Sequence, residues 1–340
     1  MSGRSLSPVL EREGRSMRRV TPVAALAGAV VLTAAVSAAA VGSTQISSGQ
    51  RGVVVHLAGH RYLVSPGVPR GVKPIHPGVI RPAVNTLSLH SSAPTGVVSP
   101  KPTVYLVFWG TQWSSDPAGA APALQNFFKG LHGNKDPWGK IMNQYCENMP
   151  VGTTNCGNQG THIKHPQKKA PLAGGWFDNG AAAPPNATAA QIAAEAVRAA
   201  EHFGNTNQQP NLNAQYVIAS ATGPHPDGFP NSGFCAWHDF TTSADGKVAY
   251  TNLPYVPDLG AGPCTTISSP TILDGYFSTE THEYAETLTD FFPAAGWLGG
   301  GGEIGDECVQ LDARETLTTG TFDVQGLWSN SAGNCEVAGP

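Results

Sequence analysis

One stretch near the end of the chain strongly constrains the fold, because acidic residues lie on both sides of a glycine-rich linker. Residues 281–286 are Thr-His-Glu-Tyr-Ala-Glu, the H-E-x-x-H helix of zinc peptidases with glutamate at the second histidine position. Positions i and i+4 share one face of a helix, so His282 and Glu286 can bind one ion. The glycines at 299–302 allow the chain to turn back, so that Glu303 or Asp306 completes a three-ligand site. The sequence therefore predicts a long helix and a return segment that meet at a metal.

Glu283 lies next to the first candidate ligand but points to a different side of the helix. Consecutive residues of an α-helix are rotated by about 100°, so we expect Glu283 to be the catalytic general base toward a metal-bound water. The predicted cofactor is a divalent metal, with zinc first. One histidine with two carboxylates is a hard, anionic set that leaves calcium, manganese and magnesium open. Carboxylate ligands also donate charge to the metal, so we expect weaker hydrolysis than in a histidine-ligated peptidase.

The same helix also has a plain structural interpretation. Glu280, Glu283 and Glu286 can form the solvated face of an amphipathic helix, with His282 hydrogen-bonded to a neighbour. The acidic return favours a metal, because three carboxylates and a histidine that converge without a cation are costly to bury. His238 is a further candidate metal ligand or proton donor, and the alternative is an ordinary surface or half-buried loop histidine.

The N-terminal 40 residues predict export. Arginines at positions 12, 15, 18 and 19 precede an uncharged apolar run from Val23 to Ala40 that ends in small residues, the pattern of a signal peptide. A retained membrane anchor is the alternative, but the Ala- and Gly-rich composition of the run favours cleavage. No later stretch is long and apolar enough to span a bilayer, so we expect no stable membrane span after cleavage. The predicted location is secreted, either extracellular or cell-wall associated.

Charge balance and motif content exclude several classes of function. The formal net charge is −4, and nothing indicates the basic face that nucleic-acid binding requires. The chain also lacks the G-x-S-x-G elbow of serine hydrolases, the P-loop and the dinucleotide fingerprint. A peptide or a cell-wall polymer is the expected substrate class.

The order of predicted elements favours an α+β domain. With 40 glycines and 28 prolines the chain should be rich in loops. Residues 41–100 are predicted to be a flexible linker or propeptide-like region, and residues 101–340 a single disulfide-stapled domain. Thr188 and Gln191 form a capping box for one of the helices. The patterns predict strands at 53–64, 103–109, 215–219, 248–251 (an edge strand) and 321–328, and helices at 121–131, 138–145, 189–203 and 273–291.

Six cysteines form an even set, which predicts three disulfides in an exported chain. Sequential pairing closes the shortest loops and is the arrangement we expect. No C-x-x-C pair supports a zinc–thiolate site instead. The predicted disulfides are Cys146–Cys156, Cys235–Cys264 and Cys308–Cys335.

Tryptophans near the predicted strand ends and the site offer a further function, carbohydrate binding. Aromatic rings beside a polar site often stack on sugars or on peptide side chains, and they lie in the core at least as often. The candidates are Trp109, Trp113, Trp237 and Trp297.

Several short segments, taken in order, resemble the Exordium-like, or phosphate-induced, family of secreted proteins, which is known from plant cell walls and from bacteria. The motif at His282–Glu286 resembles the family's "AHELAE", and Glu303–Cys308 resembles "EIADLC". The resemblance extends over residues 103–335. The other matching segments are Val104–Gly110, Phe234–His238, Gly262–Cys264, Asp274–Gly275 and Trp297.

This resemblance implies an extracellular protein with a zincin-like appearance, and it makes His238 a stronger candidate. It implies no particular reaction, because the family is described mostly by its effects on growth and on the cell wall. The chain departs from the plant members in having a single cysteine near position 264, where they have a close pair.

We therefore expect an α+β, zincin-like metallopeptidase-type domain with a small mixed sheet, a long motif-bearing helix and many loops. The expected function is a secreted metal-dependent hydrolase with Glu283 as general base. The alternative is a non-catalytic extracellular protein, cell-wall associated or signalling, that retains a structural metal site. The candidate metal ligands are His238, His282, Glu286, Glu303 and Asp306.

Overall fold

The computed structural model describes residues 43–45, 51–66, 70–74, 86–93, 96–131, 135–164 and 169–339. Residues 41–340 group into one unit. The predicted signal peptide, residues 1–40, lies outside the described residues. Across the part of the chain that the structure describes, no helix is both long enough and apolar enough to cross a membrane.

The described residues form seventeen strands and five α-helices. The strands are β1 (Ser43–Gln45), β2 (Arg51–Leu57), β3 (His60–Pro66), β4 (Arg70–Pro74), β5 (Ser88–Leu89), β6 (Thr103–Trp109), β7 (Cys146–Glu147), β8 (Thr161–His162), β9 (Leu172–Asp178), β10 (Ala214–Ser220), β11 (Phe234–Ser243), β12 (Gly246–Leu253), β13 (Trp297–Leu298), β14 (Asp312–Leu317), β15 (Gly320–Gln325), β16 (Leu327–Ser329) and β17 (Asn334–Glu336). The helices are α1 (Ala120–Gly130), α2 (Pro137–Lys140), α3 (Ala189–His202), α4 (Gln208–Asn211) and α5 (Asp274–Thr289).

The centre of the fold is a mixed sheet of nine strands in the order β1-β2-β3-β11-β12-β10-β6-β9, with β4 also paired to β11. Strands β12, β10, β6 and β9 run parallel to one another, whereas β11 is antiparallel to β12, β3 and β4. Parallel strands are usually covered on both faces, and all 7 residues of β10 are buried. Because β12 lies between β11 and β10, the prediction of an edge strand at 248–251 is wrong.

Alternate residues of β6 reach two separate hydrophobic layers. Val104 and Leu106 pack in a layer with α1 and α5, whereas Val107 and Trp109 pack in a layer with α3. α3 begins with the capping box that the sequence predicts. Helices therefore cover both faces of the sheet, and the prediction of a mixed α+β domain is confirmed.

Helix α5 is buried along its whole length, although it is not an apolar helix. All 16 of its residues are buried, because β11 and β12 pack on it from the sheet and β15 packs on it from the β14–β15 hairpin. After the helix ends, the Asp290 carboxylate accepts hydrogen bonds from the backbone nitrogens of Ala294, Ala295 and Gly296, which fixes the following turn. The predicted helix at 273–291 agrees with the structure to within two residues at each end.

Parts of the segment predicted as a linker, residues 41–100, belong to the sheet. Residues 51–66 form the β2–β3 hairpin rather than one strand from 53 to 64, because the chain turns at Ala58 and Gly59, both with positive φ. Strand β3 pairs with β11. Strand β4 also pairs with β11 and brings Lys73, which is 2% exposed, against α5.

The three disulfides join the cysteines in sequential pairs, as predicted. All six cysteines are used in this way, which excludes a zinc–thiolate site. The bond between Cys308 and Cys335 ties the acidic return segment to β17. Three disulfides are typical of a protein that folds in an oxidising compartment.

Candidate metal centre

The candidate metal centre, which is the group of candidate ligands named above, lies where strand β11 faces helix α5. His238 on β11 is 0% exposed, and its Nδ1 lies 3.2 Å from Glu283 Oε2 and 3.6 Å from Glu286 Oε2. The interpretation of His238 as a surface or half-buried loop histidine is wrong. The residue is held in a paired strand opposite Thr251, which directs its side chain toward the helix.

The acidic return segment approaches α5 from another side. His282 Nε2 lies 3.2 Å from Glu286 Oε1 and 3.8 Å from Asp306 Oδ1. The Asp306 backbone nitrogen donates to Glu286 Oε1 at 3.0 Å. Glu303 reaches the other histidine, with its Oε1 3.4 Å from His238 Nε2. The structure thus brings all five candidate ligands together, including both acidic residues of the return segment.

The close approach of the return segment depends on Gly305. A Cβ at this position would lie 2.7 Å from His282 Nδ1 and 2.9 Å from Glu286 Oε1. The φ of Gly305 is −81°, which any residue adopts. The missing side chain, rather than an unusual backbone, therefore lets the return segment reach the helix.

Gln325, the last residue of β15, fixes the ring of His282. Gln325 Nε2 donates to the Gly305 carbonyl at 2.8 Å, so Gln325 Oε1 is the acceptor that lies 3.1 Å from His282 Nδ1. Lys73 Nζ donates to the same Oε1. His282 Nδ1 therefore carries the proton, and the lone pair of Nε2 faces the carboxylates, as in a metal-ligating histidine. Gln325 and Lys73 were not predicted from the sequence, since no spacing rule links either residue to α5.

The ligand atoms meet two requirements of a cation site. They form two groups of three in which all atoms lie within 4.8 Å of one another. His282 Nε2 and Glu286 Oε2 are also buried without a hydrogen bond from any described residue, and buried polar atoms are rarely left in that state. The two groups are His238, Glu283 and Glu286, and His282, Glu286 and Asp306.

Burial disfavours charge throughout the centre. Burial raises the pKa of Glu283, Glu286 and Glu303 well above the usual range, and neighbouring carboxylates raise it further. Burial lowers the pKa of His282 to about 3. Burial also lowers the pKa of His238, but the hydrogen bond to Glu283 and the nearby carboxylates outweigh this effect and raise it to about 9. A cation bound at the centre would favour ionised carboxylates and neutral histidines.

The interpretation of α5 as a helix with a solvated acidic face is wrong. Glu280, Glu283 and Glu286 are each 0% exposed. Glu280 belongs to neither ligand group, and burial raises the pKa of its carboxyl well above the usual range. It is therefore a buried carboxyl of the same helix outside the candidate centre.

The four tryptophans considered for carbohydrate binding are core residues. Each is at most 6% exposed. Trp113 Nε1 donates to the Ala219 carbonyl and Trp297 Nε1 to the Cys146 carbonyl. Rings that are enclosed in this way offer no exposed face to a polysaccharide. The buried residues are Trp109, Trp113, Trp237 and Trp297.

Comparison with known proteins does not assign the chain to a group. No protein-family model matches it, no curated protein matches it, and no solved structure matches it. Its function has to be inferred from the geometry and chemistry of the centre.

Proposed function

We propose that the chain is a secreted, zincin-like hydrolase that uses a divalent metal held by His282, Glu286 and Asp306. The observation that carries the proposal is the orientation of His282. Its Nδ1 proton is directed to Gln325, while its Nε2 lies 3.2 Å from Glu286 Oε1 and 3.8 Å from Asp306 Oδ1. Ligand atoms bound at about 2.1 Å in a tetrahedral site are about 3.4 Å apart, so this spacing fits one small cation. Zinc is the first choice, and calcium or manganese are alternatives with oxygen-rich ligands.

Glu283 is the general base in this proposal. When bound, the metal would act as a Lewis acid and lower the pKa of a water molecule. Glu283 is held in place because its Oε1 accepts a hydrogen bond from the Lys73 backbone nitrogen at 3.3 Å and its Oε2 lies 3.2 Å from His238 Nδ1. The carboxylate then takes the proton of the attacking water. Asp306 has a side chain that is 24% exposed, so the substrate is expected to approach from its side.

A peptide or a cell-wall polymer is the proposed substrate, and the outside of the cell is the proposed location. The signal-peptide pattern and the three disulfides support export. The ordered motifs that resemble the Exordium-like family support membership of that family and an association with the cell wall. The lack of a basic cluster in the sequence argues against a nucleic-acid substrate.

A non-catalytic protein with a structural metal is the second candidate function. The observation that favours it is burial, since His282, Glu283 and Glu286 are each 0% exposed. Structural metal sites are closed to solvent, whereas catalytic sites keep a position open.

Metal analysis combined with the variant Glu283→Gln tests these proposals. We expect purified wild-type protein to contain zinc or another divalent metal, and turnover in a screen of peptides and glycans to fall by about 10²–10⁴-fold in the variant. Glu280→Gln is the matched control, because Glu280 is equally buried on α5 but outside both ligand groups. It should retain both metal and turnover.

Three results separate the candidates. Turnover that depends on Glu283 but not on Glu280 supports the hydrolase. Bound metal without any Glu283-dependent turnover supports the structural role. A correctly folded protein that binds no divalent metal overturns both.

A further inference from the structure

Glu286 belongs to both ligand groups and offers a different oxygen to each. Its Oε1 lies 3.2 Å from His282 Nε2, and its Oε2 lies 3.6 Å from His238 Nδ1. A carboxylate whose two oxygens face two separate histidines has the arrangement of a bridging ligand in a two-metal centre. We propose that a second divalent cation binds between His238, Glu283 and Glu286, and that it inhibits the hydrolase by occupying the general base.

The spacing of these three residues fits a cation. His238 Nδ1 lies 3.2 Å from Glu283 Oε2 and 3.6 Å from Glu286 Oε2, close to the separation of about 3.4 Å between ligand atoms of one tetrahedral zinc. A proton on His238 Nδ1 can serve one carboxylate oxygen but not both. Glu286 Oε2 is in fact buried without a hydrogen bond from any described residue. A cation at this position serves all three ligand atoms at once.

The balance of charge also favours a second cation. Four carboxylates contact the two histidines, so their full ionisation places roughly four negative charges at a largely buried centre, where uncompensated charge is strongly disfavoured. The buried carboxyl of Asp290 lies near them as well. One divalent ion compensates half of the charge of the four contacting carboxylates, and a second ion compensates the other half. Lys73 is the nearest buried ammonium, but its Nζ is directed to Gln325 and lies 3.9 Å from Asp312. Within the described ranges, no lysine or arginine forms an ion pair with the four carboxylates.

The second cation has a predictable effect on the reaction. A divalent cation on Glu283 Oε2 strongly favours the ionised carboxylate, so Glu283 is a poor acceptor for a proton from water while the cation is bound. Occupancy of the first position alone therefore leaves the base free, and occupancy of both positions blocks it. This inhibition rests on the proposed function, because it assumes that Glu283 is the base, whereas the second binding position does not depend on that assumption.

Zinc titration of the wild-type protein and of single variants tests the inference. Zinc alone is the probe, and bound zinc per protein is measured after free zinc has been removed. We expect two equivalents in the wild type and in the control Glu280→Gln, and one equivalent in both His238→Ala and His282→Ala. Wild-type turnover should rise with the first equivalent and fall with the second. Circular dichroism checks that each variant is folded.

Crystals of the wild-type protein grown with zinc provide a test that needs no variant. Anomalous diffraction should show two peaks about 3.5–4 Å apart, the separation of ions in two-metal sites. A single peak with one equivalent overturns the second position and leaves the proposed function intact. Two equivalents without a fall in turnover overturn the inhibition. Absence of bound zinc from the folded wild type overturns the inference together with the proposed zinc site.

Discussion

Helices α3 and α5 lie on opposite faces of one sheet and bury acidic side chains in opposite ways. Glu195 on α3 is 0% exposed, but Arg198, one turn further along, lies 3.2 Å from its Oε2 and also pairs with Asp178 on β9. Glu283 and Glu286 on α5 are equally buried. Among the described residues, neither forms an ion pair with a lysine or an arginine.

The difference separates a buried ion pair from a group of buried acids that could hold a metal ion. Helix α3 carries its own cation, and Arg198 also lies 4.7 Å from the centre of the Trp176 ring, so this cluster is complete in the folded chain. The carboxylates of α5 converge on histidine nitrogens instead. No arginine or lysine balances their charge within the described residues, and they could hold a metal ion together with the histidines. Buried acids with strongly shifted pKa values thus form an internal ion pair in one case and a candidate functional site in the other.

The largest effect that we expect is on the α5 side, from metal. Zinc at roughly a thousand times its Kd raises the free energy of unfolding by about 4 kcal/mol when it binds only the folded state. Urea unfolding with zinc and with a chelator measures this difference. The double variant His282→Ala with Glu286→Ala should lose it. Equal stability of the wild type under the two conditions would show that α5 needs no ion.

A somewhat smaller effect is expected on the α3 side. Arg198→Met leaves Glu195 buried without its partner, which should lower the free energy of unfolding by about 3 kcal/mol, at the lower end for broken buried pairs. The zinc content should not change. Arg314→Met is the matched control, because Arg314 is 39% exposed in its pair with Asp274 and should cost about 1 kcal/mol or less. A loss of zinc in Arg198→Met would break the comparison.

Asp136 extends the comparison to a buried carboxyl that has neither an arginine partner nor a place in a ligand group. We expect it to have the smallest effect on the free energy of unfolding. Burial raises its pKa from 3.8 to about 7, although a hydrogen bond from the Gly139 backbone lowers it. The folded state therefore holds the proton more tightly than the unfolded state. The resulting stability is complete below the unfolded pKa and is lost as the pH rises through the folded pKa.

Unfolding measured at about pH 5 and about pH 8 should show a loss of about 2 kcal/mol from this one group. Asp136→Asn should remove most of that loss while its Oδ1 still accepts from Gly139 N, a bond of 2.7 Å in the wild type. A variant that keeps the full pH dependence would assign it to other carboxyls.

Local sequence signals predicted much of the fold and part of the centre. The helical pattern predicted α5, and Thr188 with Gln191 predicted the start of α3. The even number of cysteines and the preference for short loops predicted the three observed disulfides. The acidic return was expected to reach His282 because glycines precede it, and the structure shows that contact through Asp306. Each of these signals depends on residues that are close together in the sequence.

The features that were missed depend on pairing between distant segments. The sequence of β12 does not show whether the strand lies inside the sheet or at its edge. Its position depends on which strands pair with it. Gln325 is a single polar residue at the end of a strand, and only the packing of β15 on α5 directs it to His282. Lys73 was assigned to a linker because glycine and proline are frequent around it, whereas its strand pairs with β11.

The contacts of Lys73 have a consequence for the order of events during synthesis. Its backbone bonds to Glu283 across 210 residues, and its ammonium bonds to Gln325 across 252 residues. Chains are made from the N-terminus, so these surroundings of the centre cannot assemble until nearly the whole domain has been made. The proposed ion would then be taken from the compartment in which folding finishes, and metal supply there would decide which cation binds as much as affinity does. For a chain that is exported before it folds, that choice would be made outside the cytoplasm.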